Sequence, residues 1–262
     1  MISNPNNPTI REIRRLRKRR ERDRRRQMIV EGHRALAVAL KRKAGVSRVL
    51  HTRAGADKRA DLLQDAKAQG AAVLEVSPAV MASLTSVTTA PDVIGVAALP
   101  CCTLDEAVAR LGFGAVLAGV RDPATAGSIL QSCAAAGGTV AIATTGTADV
   151  FAPKPVRAAA GAHFALSIAP DVTPEECAAA LRAAGVRIVL ADAEAPASTA
   201  SLDRRVAILV GEDGPLPPAL SSVSEERAGV GAAHADLRPS IAGLAAVVLF
   251  DAIRRTRDAG DG

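Results

Sequence analysis

Three loops in the second half of this chain collect the residue types that could bind a ligand or do chemistry. The first is Asp122-Pro-Ala-Thr-Ala-Gly-Ser-Ile-Leu-Gln131, the second Ile208-Leu-Val-Gly-Glu-Asp-Gly-Pro215, and the third runs from Val230 through Arg238-Pro-Ser240 into an apolar helix. Each follows an expected strand, where open α/β sheets bind ligands. Gly127, Gly211 and Gly214 allow backbone to approach a ligand closely. Gln131 can donate and accept hydrogen bonds but carries no charge and cannot act as a base. His234, Asp236 and Asp122 are the candidates for a general base, although a single loop histidine is usually just exposed.

The elements that must position these loops follow from the patterning. From about Leu104, apolar strand-like runs at Ala115–Val120, Thr139–Ala143, Ala165–Ile168, Arg187–Ala191 and Val206–Val210 alternate with helical segments. This alternation predicts a largely parallel sheet covered on both faces. Thr173-Pro-Glu-Glu176 combines a cap, a first-turn proline and a capping-box acid, a strong helix start. Ile241 to Arg254 is helical and apolar nearly all round until Asp251, which suits a core element or a subunit interface better than a surface helix. Pro239 fits the first turn of that helix.

Residues 1–97 predict a separate, smaller α/β domain. A helix over Ile10–Gln27 is followed by strands at Met28–Val30, Val46–Leu50, Ala72–Val76 and Ile94–Ala98, with helices at Glu31–Lys43, at Asp57–Gln69 and after Ser77. Residues 98–104 are the expected linker, and 105–262 the second domain. A chain of 262 residues is long enough for two cores.

Charge is concentrated. Between Arg11 and Arg26 eleven Lys and Arg stand against three acids, giving that stretch +8 and leaving −2 for the rest of a chain whose net charge is +6. A basic arm on a nearly neutral body points to phosphate contact with salt-dependent affinity. Arg14, Arg15, Arg17, Lys18 and Arg19 are the candidate contacts. With no Tyr or Trp and four Phe, stacking platforms are scarce, so a nucleic-acid partner would be held mainly by cations and backbone.

Other classes are disfavoured. The run Ile241–Phe250 is too short to span a bilayer, and no apolar stretch follows the charged N-terminus as a signal peptide would require. The four cysteines form no Cys-x-x-Cys pair, so a metal site is not expected, and their usage suggests buried thiols and a cytoplasmic protein. No Gly-x-Gly-x-x-Gly follows a strand and no P-loop is present, which argues against nicotinamide and nucleoside triphosphate cofactors.

The three loops in this order resemble the signature segments of SpoU-type, TrmH-like RNA 2′-O-ribose methyltransferases of the SPOUT superfamily. The opening Asn-Pro, Val30-Glu-Gly32 before a helix, and Val93-Ile-Gly-Val96 resemble the small RNA-binding domain that precedes many of them. The resemblance implies a deep trefoil knot in the C-terminal domain, a homodimer with a site formed between subunits, and S-adenosylmethionine as cofactor. It implies catalytic positions at Thr125, Gln131, Asp213 and Ser240, and cofactor contacts from Leu209, Gly211, Glu212, Gly214, Val230, Ala232 and Pro239. Phe151-Ala-Pro-Lys-Pro-Val-Arg157 resembles the family segment that leads into an Arg-containing helix, with Arg157 at that Arg; Lys154 and Arg157 are therefore candidates to bind RNA phosphate or orient the substrate. Ribosomal RNA is the implied substrate ahead of transfer RNA.

The chain also departs from the family pattern. Thr125 stands for Asn, Gln131 for Arg, Asp213 for Glu and Ser240 for Asn, while Arg238 places a charge where a small hydroxyl is usual. These departures keep two alternatives open: an RNA-binding homologue with impaired catalysis, and a methyltransferase with an altered acceptor.

Overall fold

The structure, a computed structural model, describes residues 1–196, 205–212, 214–224, 226–230 and 238–260, with side chains in the last helix described through Arg254. The chain divides into two compact units. One comprises Met1–Pro100 together with Phe151–Phe164, the other Cys101–Val150 with Ala165–Gly262.

In the first unit, β1 (Gln27–Glu31), β2 (Arg48–His51), β3 (Ala72–Glu75) and β4 (Val93–Ala98) form a sheet in the order β1-β4-β2-β3. The β2–β3 pair is parallel, and both pairings of β4 are antiparallel. Successive residues feed opposite cores, as the two-residue period of a strand requires. Val30 and Val49 join Leu36 and Leu40 on one face, while Ile29, Leu50 and Ile94 join Ile10, Ile13 and Met81 on the other.

The basic segment is two helices, Pro8–Arg15 and Arg19–Arg25, where the sequence predicts one. Leu16 is buried at the break, and the side chain of Arg22 turns inward. Its Nη1 donates to the carbonyls of Leu16 and Arg17 at 3.1 and 3.0 Å. Helix ends leave carbonyls without partners, and Arg22, only 1 % exposed, satisfies two of them. The second helix stops at Arg26, which adopts a left-handed φ of 53°.

In the second unit, β5 (Phe113–Ala118), β6 (Val140–Thr144), β7 (Ser167–Val172), β8 (Arg187–Ala191), β9 (Val206–Gly211) and β10 (Glu226–Ala228) form a six-stranded sheet. Its order is β10-β8-β9-β5-β6-β7, and every pairing is parallel. The five predicted strands are present, and β10 is additional. Helices Leu104–Arg110 and Pro174–Ala183 each begin with a capping box, Thr103 with Glu106 and Thr173 with Glu176. From β5 the chain builds outward through β6 and β7, then crosses to β8 and returns to place β9 against β5. Parallel sheets form ligand crevices at the carboxyl ends of strands beside such a reversal. The final helix, Ile241–Gly260, packs on helix Pro123–Ala135 and on β9. It buries Leu244, Val248 and Leu249 but exposes Val247 and Phe250. The implied knot depends on the path of residues 231–237, outside the described residues.

Candidate active site

At the carboxyl ends of β8, β9 and β10 lies a cleft of about 360 Å³. One wall is the turn after β8, from Leu190 to Ala193; the other is Gly211, Glu212 and the segment Gly214–Leu216. Arg227, Arg238, Pro239 and the start of the final helix complete it. Local sequence explains the second wall. A Cβ on Gly211 would lie 2.5 Å from Leu216 Cδ2, so the Leu216 side chain would have to move, and Gly214 has a φ of +131°, which a side chain there would strain.

Charge is arranged in pairs around this opening. Asp192 accepts from Arg227 Nη1 at 3.0 Å, and Glu194 accepts from Arg238 Nη2. Thus one turn, Asp192–Ala195, is tied both to β10 and to the segment that enters the last helix. Glu212 faces the other way. Its carboxylate accepts from the Arg121 backbone N–H at 2.5 Å, from Arg121 Nε at 2.6 Å and from the Asp122 backbone N–H at 3.3 Å. Burial alone would raise the Glu212 carboxyl, but the Arg121 side-chain and backbone hydrogen bonds outweigh it and hold the group below the usual carboxylate range.

The loop after β5 continues this network. Asp122 caps helix Pro123–Ala135, accepting from the Thr125 N–H at 2.8 Å and the Thr125 hydroxyl at 3.0 Å. Thr125 is therefore fixed in the first helical turn. Gln131 lies on the exposed side of the same helix. Six residues of an α-helix leave the two positions about 120° apart around the axis, so they do not share a face.

The sequence-derived residues are thus only partly gathered. Gly211, Glu212, Gly214 and Pro239 line the cleft, together with Arg238. Leu209 is fully buried in the core beneath it, so it supports the loop instead of lining the opening. Val230 is half-buried just after β10. Ser240 is exposed, and its Oγ accepts from the Gly243 N–H at 3.2 Å, capping the final helix. Asp213, Ala232, His234 and Asp236 lie outside the described residues. Asp192 and Arg227 carry no local signal in the sequence, because their place on the cleft depends on β8 lying between β9 and β10.

The candidates of the first half also separate by role. Arg15, Arg17, Lys18 and Arg19 are exposed. Arg14 is half-buried, donating through Nη2 to the Pro5 carbonyl at 2.8 Å and to Ser83 Oγ at 2.9 Å, which makes it a fold contact. Arg157 belongs to the segment Phe151–Phe164 of the first unit and pairs with Glu31 at 2.9 Å, while Lys154 is exposed. Among the described residues no group of three or more His, Cys, Asp and Glu could hold a metal, and no helix is long and apolar enough to cross a membrane.

Comparison with known proteins bears on both units. Residues 7–95 match the MRM3-like substrate binding domain, and residues 112–219 match the SpoU rRNA Methylase family. The part of the chain from residue 112 to 219 is thus similar to the SpoU methylase family. Its match to that family runs from β5 through β9 and stops before β10 and the final helix, the region in which the third loop departs from the family pattern. An AdoMet-bound rRNA methyltransferase from Sinorhizobium meliloti is 26% identical, with 97% of each chain covered and a TM-score of 0.77. A solved RNA 2′-O ribose methyltransferase is 27% identical, covering 97% of this chain and 98% of its own, with a TM-score of 0.78. Among curated relatives, rRNA methyltransferase 3B, mitochondrial, of Danio rerio is 50% identical over 54 residues, which are 21% of this chain and 12% of that protein.

Proposed function

We propose that this chain is a SpoU-family, S-adenosylmethionine-dependent RNA methyltransferase that modifies a ribose 2′-hydroxyl, with ribosomal RNA as substrate, and that it works as a homodimer. The observation that carries the reading is the cleft at the ends of β8 and β9, floored by Gly211 and Gly214. At about 360 Å³ it falls in the range of small-molecule sites. Its lining fits the cofactor: Leu190, Ala191 and Leu244 offer apolar surface for an adenine, and Gly211 and Gly214 leave backbone groups open to a polar ligand.

When bound, the cofactor supplies an electrophilic methyl group on a sulfonium. The chain's own contribution is to hold and align. The glycine turn presents backbone groups to the ligand, and the Asp122–Thr125 cap fixes the loop beside it. The exposed cations of the N-terminal helices draw the phosphate backbone. Positioning of this kind converts an encounter between two molecules into a step within one complex. The dimer is supported by the exposed Val247 and Phe250, which stand beside the buried Leu244, Val248 and Leu249 of the same helix.

Calorimetric titration of S-adenosylmethionine, followed by nucleoside mass spectrometry of treated ribosomal RNA, tests the proposal. Saturable binding and a new 2′-O-methylnucleoside are expected. A folded protein that binds RNA but gives no heat with the cofactor would sink it. Gln131 favours a second reading, a homologue that binds RNA without turnover, because it is exposed and uncharged where the family carries Arg.

A further inference from the structure

Glu212 occupies an unusual place: it lies on the cleft wall, yet its hydrogen bonds go to the neighbouring loop. Three donors converge on one carboxylate, the backbone N–H groups of Arg121 and Asp122 and the guanidinium of Arg121. Those backbone groups immediately precede helix Pro123–Ala135, where the partial positive charge of a helix start favours an anion. Asp122 in turn holds the Thr125 N–H and hydroxyl. The chain of contacts therefore runs without interruption from the glycine turn after β9 to the first turn of the helix after β5.

We propose that Glu212 is a positioning residue that locks the Arg121–Thr125 loop to the Gly211–Pro215 turn, so that a ligand seated against the turn fixes where the loop presents its acceptor. The resemblance places Asp213, outside the described residues, at the acidic position of this turn; the described contacts to the neighbouring loop belong to Glu212. The clamp is mainly a backbone device. Arg121 is 78% exposed and supplies one bond through its side chain, while the other two bonds arrive from main-chain N–H groups. The coupling to methyl transfer rests on the function proposed above, but the clamp does not.

Two measurements on the full chain separate these points. In hydrogen exchange without cofactor, Glu212→Ala and Glu212→Gln should lower protection of the Arg121 and Asp122 amides by about tenfold or more, while the β5 amides keep theirs. Unchanged protection in both variants would overturn the clamp. In methyl-transfer assays, Glu212→Ala should lower kcat about tenfold or more, with KM for S-adenosylmethionine within about threefold of wild type. Arg121→Ala, which leaves both backbone bonds, should lower kcat less than about threefold. Equal losses in the two variants, or failure of a folded Glu212→Ala protein to bind the cofactor, would overturn the positioning role. A wild-type protein that binds no S-adenosylmethionine would instead overturn the functional reading and the coupling with it, while amide protection still decides the clamp.

Discussion

Arg157 donates to Glu31 at 2.9 Å, and the Glu31 side chain is 1% exposed. The same carboxylate oxygen accepts from the Thr85 hydroxyl at 2.7 Å. The sequence offers Arg157 as a candidate RNA-phosphate contact, yet in this fold its charge neutralises a carboxylate within the first unit. Breaking such a pair strands a buried charge, which typically costs about 3–5 kcal/mol. Arg157→Ala should therefore destabilise the unit by that order in urea denaturation. The added cost should shrink when Glu31→Gln is already present, because the stranded charge is then gone.

How much of this is legible in the sequence depends on the range of the interaction. The parallel strands, the Thr173 capping box and the glycine turn at 211–214 are set by neighbours in the chain, and the sequence shows all three. The break in the basic helix is hidden, since it follows from Leu16 entering the core and Arg22 folding back on its carbonyls. The strand Glu226–Ala228 is hidden too, because a charged triplet has no strand signature; pairing with β8 defines it. The resemblance implies a cofactor contact at Leu209, but β9 packs its side chain into the core. Asp192 and Arg227 need the strand order itself, which no local pattern supplies.

The basic segment makes a prediction that separates fold from binding. Arg15, Arg17 and Lys18 are exposed, whereas Arg22 is buried against carbonyl oxygens. Replacing the first three with Ala should leave stability within about 0.5 kcal/mol each. It should reduce the slope of log K against log salt for RNA by roughly 0.7–0.9 for each phosphate that the arm no longer neutralises. Arg22→Ala should instead cost about 1–3 kcal/mol by leaving buried carbonyls unpaired. Filter binding over a salt series and thermal denaturation would distinguish the two effects.

The thiols should divide by burial. Cys133 and Cys177 are buried, and desolvation pushes both up to about 12. Cys101 and Cys102 are half-buried, although burial also raises Cys102. Because the thiolate is the reacting species, a thiol-specific reagent at pH 8 should modify the adjacent pair first. Cys133 and Cys177 should react only on unfolding, and peptide mapping of the modified sites would check this order.

Glu212 should leave a pH signature. Its folded-state pKa lies below the usual carboxylate value of 4.5, so its stabilising contribution is present above that value and is lost as pH falls through the lowered one. Comparing melting temperatures of wild type and Glu212→Gln from pH 7 to about pH 3 should show a steady gap at neutral pH that narrows in acid. A gap that widens as pH falls would contradict the assigned direction.

Gln131 decides between turnover and binding alone. It lies on the exposed side of helix Pro123–Ala135, about two and a half turns from the Asp122 cap, and a longer side chain there would meet solvent before it met the core. Gln131→Arg should therefore fold with little change in stability, within about 0.5 kcal/mol. The guanidinium would restore the charge that the family carries and could bind phosphate bidentately, which Gln cannot. If the missing charge limits catalysis, single-turnover ribose methylation should rise about tenfold or more, equivalent to at least about 1.4 kcal/mol of transition-state stabilisation. RNA affinity should rise less than the rate, because one added phosphate contact is a small part of a multivalent grip. An increase in affinity with no increase in rate would place the limitation elsewhere in the site, with Ser240 and the segment after β10 the next positions to restore.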